Sequence, residues 1–130
     1  MSTTREVVSG ALKLLGVRPA ESPISDTEAI DGMEALNDML NEWAVNGLTI
    51  DFETVEDLDE KLYVEDGFIG AIKANLAVYI APEYNRAVTA ELAMRAKKGR
   101  SIVRATIANE DTAFPDTLPV GSGNEWDNYV

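Results

Sequence analysis

Apolar residues recur at three- and four-residue steps along most of the chain, and these stripes predict four helices. The first, over residues 4–15, places Val7, Val8, Ala11, Leu12 and Leu15 on one side and stops at Gly16, with Pro19 just beyond. A loop with two prolines leads to Ser25, followed three residues later by Glu28, the pattern of a capping box. The second helix is expected over 26–46, with Gly47 as its left-handed stop. At about 100° per residue, Ala29, Met33, Leu36, Leu40, Trp43 and Ala44 gather on one side of it, while Glu28, Asp31, Glu34, Asp38 and Glu42 gather nearly opposite.

Residues 48–65 break this rhythm. Ile50, Phe52 and Val55 alternate with polar neighbours, which suits an extended segment or a short hairpin arm. Asp66 can cap a third helix with a broad stripe of Phe68, Ile69, Ile72, Leu76, Tyr79 and Ile80, which Pro82 ends or turns. A fourth helix is expected from Glu83 or Arg86, with Val88, Leu92, Ala96, Val103 and Ile107 on one flank. Gly99 lies on that line as a weak point or a close-packing site. Arg86, Lys97, Arg100 and Arg104 fall within an arc of roughly 60° on another flank.

The fold class that follows is all-α: a compact bundle of four helices over residues 1–108, with an extended C-terminal tail over 109–130. The tail is rich in Asn, Asp, Pro, Gly and Ser and has isolated Phe114, Trp126 and Tyr129. It cannot build a core of its own, so the aromatics are either incidental or anchors for a partner. The shared interior is expected to contain Leu12, Leu15, Met33, Leu36, Leu40, Trp43, Phe68, Ile72, Leu76, Val88 and Leu92.

Composition removes much chemistry. With no Cys and no His among 130 residues, disulfides, thiolate nucleophiles, imidazole bases and the common zinc sites are absent. Gly121, Ser122 and Gly123 suggest a dinucleotide loop, but Trp126 takes the place of the third glycine and no βαβ pattern surrounds them. Asp57 and Asp59 resemble the start of a calcium loop, but Lys61 and Leu62 stand where a ligand and the turn glycine belong. A carboxylate pair could serve glycoside hydrolysis, yet with 23 acidic residues some pair falls at a suitable distance by chance. No catalytic residue, cofactor or metal ion is therefore assigned, and the chain is not expected to be an enzyme. Residues 1–10 lack the apolar run of a signal peptide and no stretch approaches a membrane span, so the expected location is the cytoplasm, with no membrane partner.

The charge is unevenly placed as well as strongly negative, at −12 overall. Residues 21–66 hold 15 acidic side chains and one Lys, whereas residues 86–104 hold six basic ones and a single Glu. A general affinity for phosphates is disfavoured, and a polar monomer of this kind can attract a copy of itself head to tail. The patches assigned to such a contact are Glu34, Asp38 and Glu42 on the acidic side and Arg95, Lys97, Arg100 and Arg104 on the basic side. Pairing of the two patches within one chain is the competing explanation.

Three stretches in order carry a family signature: residues 11–17, ALKLLGV; residues 36–48, LNDMLNEWAVNGL; and residues 74–84, ANLAVYIAPEY. Over about residues 5–104 the chain resembles the head-to-tail adaptor, or tail accessory factor, family of short-tailed bacteriophages, also called packaged-DNA stabilisation or head completion proteins. The resemblance implies a helical protein that binds the portal ring after packaging and forms a ring of its own, usually a dodecamer. That ring would prolong the DNA channel, retain the DNA and offer a platform to the next tail or tail-tube protein. It implies assembly in the host cytoplasm and a final place in the virion neck. Docking on the portal would fall to residues 109–130, with Phe114, Trp126 and Tyr129 as anchors, and DNA would pass the acidic wall without specific binding. Two alternatives stay open, a connector of a long-tailed phage and a virion-associated cell-wall glycoside hydrolase.

Overall fold

The computed structural model describes residues 2–17, 23–50 and 53–112, the side chains of 110–112 excepted. Its elements are α1 (Thr4–Leu15), α2 (Asp26–Val45), α3 (Asp66–Ile80), a 3-10 turn (Ala81–Tyr84) and α4 (Ala90–Thr112). The expected capping box at the start of α2 forms, and α1 has one that the apolar stripes did not mark. Ser25 accepts from the Glu28 N–H and Glu28 bonds back to the Ser25 N–H. Thr3 and Glu6 make the same reciprocal pair at the start of α1. Gly16 (φ 83°) and Gly47 (φ 89°) end the first two helices in the left-handed region, where a Cβ is costly. Helix α3 starts one position differently from its sequence reading: Glu65 holds the cap position without a capping bond, and Asp66 is the first helical residue.

Helix α3 is the centre of the molecule. Phe68, Ile69, Ala71, Ile72, Ala74, Leu76, Ala77 and Ile80 are all buried, so the helix is covered on nearly every side, and α1, α2 and α4 all pack on it. The facing residues of α1 are Val7, Val8, Ala11, Leu12 and Leu15. In α2 the buried face is Ala29, Gly32, Ala35, Leu36, Met39, Leu40 and Trp43. That face is turned from the expected one: Met33 is only partly buried and Ala44 is exposed. The reason lies at Gly32, where a Cβ would stand 2.3 Å from the Val8 Cγ1, so α1 closes on the glycine and rotates the stripe towards Met39.

The fourth helix begins at Ala90 instead of Glu83 or Arg86. Asn85 takes a left-handed turn (φ 53°), the Arg86 N–H bonds to the Ala81 carbonyl 3.1 Å away, and Thr89 caps the new helix by accepting from the Leu92 N–H. Val88 therefore sits in the linker and is exposed, contrary to its place in the expected core. At the other end α4 runs to Thr112, four residues past the tail boundary at 108, because extending an established helix costs far less than starting one. Its inner line is Leu92, Ala96, Gly99 and Val103. Gly99 lies against Ala71 and Asn75 against Ala96, so α3 and α4 are antiparallel and the last two turns of α4 run past the start of α3.

The described part of the segment between α2 and α3 is extended, one of the two expected forms, and packs down instead of projecting; Phe52 lies outside the described residues. Among the described residues it forms no strand, only a single bridge between Thr3 and Lys61. Backbone bonds join Thr4 N–H to the Glu60 carbonyl (3.0 Å), Arg5 N–H to Leu58 (2.9 Å) and Leu62 N–H to Ser2 (2.9 Å). The Asn37 side-chain amide pairs with both the N–H and the carbonyl of Val55, at 3.0 and 2.9 Å, as a neighbouring strand would. Val55, Leu62 and Val64 close the end of the core.

Candidate assembly surfaces

The acidic side of α2 follows from its periodicity and stays outside the core. Asp31, Glu34, Asp38 and Glu42 are exposed, and with Tyr79 of α3 and Glu83 of the 3-10 turn they border shallow grooves along the molecule. Among the described residues none of these carboxylates has an ion pair; the salt bridges that do form join Arg5 to Asp26 and to Asp59, at 3.6 and 3.5 Å. One acidic residue is engaged within the chain: Glu42 accepts a short hydrogen bond from the Tyr79 hydroxyl. That bond, with partial burial and the charges of Glu42, Asp38 and Glu83, pushes the Tyr79 phenol up to about 12 from its ordinary 10.

A first prediction follows from this phenol. With the folded pKa above the unfolded one, the Tyr79–Glu42 bond contributes fully below about pH 10. Its contribution is lost as pH rises towards 12. An ultraviolet phenolate titration should show one tyrosine ionising late, and Tyr79→Phe should abolish that phase. A late phase that survives the substitution would belong to another tyrosine.

The basic side of α4 divides on inspection. Lys97 and Arg104 share the outer flank of the helix, exposed and unpaired among the described residues, as expected. Arg95 is also exposed, but helical spacing puts it about 160–180° from those two, on the other flank. Arg100 is half-buried and spends its guanidinium on Asn75, donating to Oδ1 at 2.6 Å. Asn75 is itself buried within the apolar surface of α3 and donates to the carbonyls of Ala71 and Ala96, at 2.8 and 2.9 Å. Every polar atom of that amide is thus satisfied, and two of the three bonds, to the Ala96 carbonyl and from Arg100, tie α4 to α3. A polar residue in the middle of an apolar stripe was the sequence signal for this joint; nothing in the sequence reveals that Arg100 answers it.

No ion pair among the described residues joins the acidic side of α2 to the basic side of α4, so the competing intramolecular pairing does not form there. Phe114, Trp126 and Tyr129 lie outside the described residues. Asp57, at the head of the calcium-like stretch, accepts from the Asp59 N–H at 3.0 Å and shapes a turn. Among the described residues no group of carboxylates is arranged to hold a metal ion, and no helix is long and apolar enough to cross a membrane.

The family resemblance read from the three sequence stretches is met by a comparison with known families. The model of the family described as the P22 tail accessory factor matches residues 1–130, the entire sequence, including the C-terminal stretch beyond α4. The chain belongs to the tail accessory factor family of short-tailed phages, and its role is that of a structural component of a phage tail.

Proposed function

We propose that this tail accessory factor is the head-to-tail adaptor of its phage: it binds the portal ring, assembles into a ring that prolongs the DNA channel, helps retain the packaged DNA and carries the next tail protein. The observation that carries the reading is the way α4, the longest of the described helices, runs past the start of α3 to a projecting end at Thr112, in a chain of this family. That end is the natural place for a segment that reaches a neighbouring protein. Its aromatic residues supply the amphipathic anchors that such contacts favour. A net charge of −12 suits a channel wall past which DNA slides without sticking. The expected ring is a dodecamer, built in the host cytoplasm and placed in the virion neck. The family is a structural one, which favours this reading over the cell-wall hydrolase, and its short-tailed character favours it over the long-tailed connector.

The end of α4 moves the informative truncation from residue 108 to residue 112. A chain ending at Thr112 should melt within about 1 °C of the full chain, since the removed segment, rich in Asp, Asn, Pro and Gly, has too little apolar density to build a core. Its binding to purified portal, followed by sedimentation, should fall at least tenfold. Equal binding by the truncated and full chains would remove the tail from the docking mechanism.

A further inference from the structure

We propose that neighbouring copies of the chain join through an antiparallel contact between the outer edge of α2 on one copy and the outer edge of α4 on the next; the proposal rests on the ring-forming reading above. Each edge is exposed and each has charges that find no ion-pair partner within the described chain. On α2 the edge is Asp31, Asp38 and Val45, one residue every seven, with Glu34 beside them. On α4 it is Lys97 and Arg104, also seven apart, with Met94 and Ser101 beside them. Seven residues are about two helical turns, or about 10.5 Å, so the two carboxylates and the two cations have the same spacing along their helices.

The apolar residues choose the direction. Val45 is 87 % exposed and Met94 is 71 % exposed, too open for either to serve the core of its own chain. Laid antiparallel, with Asp38 opposite Lys97 and Asp31 opposite Arg104, the helices bring Val45 opposite Ala90 and within about one helical turn of Met94. Laid parallel, with Asp31 opposite Lys97, they set Met94 level with Glu28 and 17 residues, about 26 Å, away from Val45, so the two exposed apolar side chains cannot meet. Ser101, between the cations, is small enough for the helix axes to approach closely. The two edges are different surfaces of one chain, so the contact repeats head to tail, as a closed ring requires. Arg95 and Arg100 take no part in it, the first because it faces away and the second because it holds Asn75.

The absence of cysteine makes a direct test clean. Full chains bearing Asp38→Cys and Lys97→Cys, mixed under oxidising conditions with portal, should form a disulfide dimer, because facing Cα atoms come within about 7 Å. Asp31→Cys with Arg104→Cys should do the same. The crossed mixture of Asp31→Cys with Lys97→Cys, and Asp38→Cys with Arg95→Cys, should react at least tenfold more slowly. Charge reversal supplies a second measurement: Lys97→Glu with Arg104→Glu in one variant, and Asp31→Lys with Asp38→Lys in another. Each alone should lower assembly by roughly tenfold or more, and an equal mixture of the two should restore it, since every junction again joins unlike charges. Circular dichroism melts of all variants should match the parent.

Cross-linking that ignores the register, or rings that form normally from either reversed variant alone, would overturn the contact and leave the ring reading standing. A parent chain that forms no ring with or without portal would overturn both.

Discussion

Trp43→Ala is expected to cost about 3–5 kcal/mol, a large part of the stability of a domain this size. The indole is the largest side chain in the described core, 6 % exposed at the last turn of α2. The same residue holds the end of the helix: its carbonyl accepts from the N–H groups of Asn46 and Leu48, at 3.1 and 2.8 Å, which turns the chain through Gly47 and buries Leu48. Loss of the ring would therefore open a cavity where α2 passes into the extended segment. At about 4 °C per kcal/mol the melting temperature should fall by roughly 12–20 °C. A urea titration read by circular dichroism gives the free energy directly. A loss below about 1 kcal/mol would show that Trp43 does not anchor the core.

Much of this architecture is legible because it rests on local physics. Ser25 with Glu28, and the glycines at 16 and 47, mark helix ends by bonds and backbone angles confined to a few residues. The stripes of α1 and α3 identify their buried sides for the same reason. What escapes depends on partners distant in sequence. The rotation of the α2 face comes from Val8 settling on Gly32, and the burial of Val55 comes from the amide of Asn37. Val88 fits the helical spacing of α4, and only the left-handed Asn85 and the cap at Thr89 remove it. In the basic patch the failure is of another kind. Arg95 was separable by helical geometry alone, whereas the removal of Arg100 required knowledge of which face of α3 lay opposite.

Gly99 tests that joint between α3 and α4 more severely than any of its polar members. Alanine improves an ordinary helix interior by about 1 kcal/mol over glycine, so composition alone would favour Gly99→Ala. The structure reverses the sign. A Cβ at position 99 would stand 2.8 Å from the Cα and the Cβ of Ala71, and backbone cannot swing aside as a flexible side chain can. The helices must part, which strains the bonds from Asn75 to the Ala96 carbonyl and from Arg100 to Asn75 on either side. Gly99→Ala should cost about 1–3 kcal/mol and Gly99→Val about 3 kcal/mol or more. Gly70, exposed within α3 with open space around it, is the matched control: Gly70→Ala should stabilise by about 0.5–1 kcal/mol. Opposite signs for the same substitution in adjoining helices separate packing from propensity. A stabilising Gly99→Ala would show that α4 does not lie as close to α3 as Ala71 requires, and the direction in which α4 delivers the C-terminal segment would then have to be drawn again.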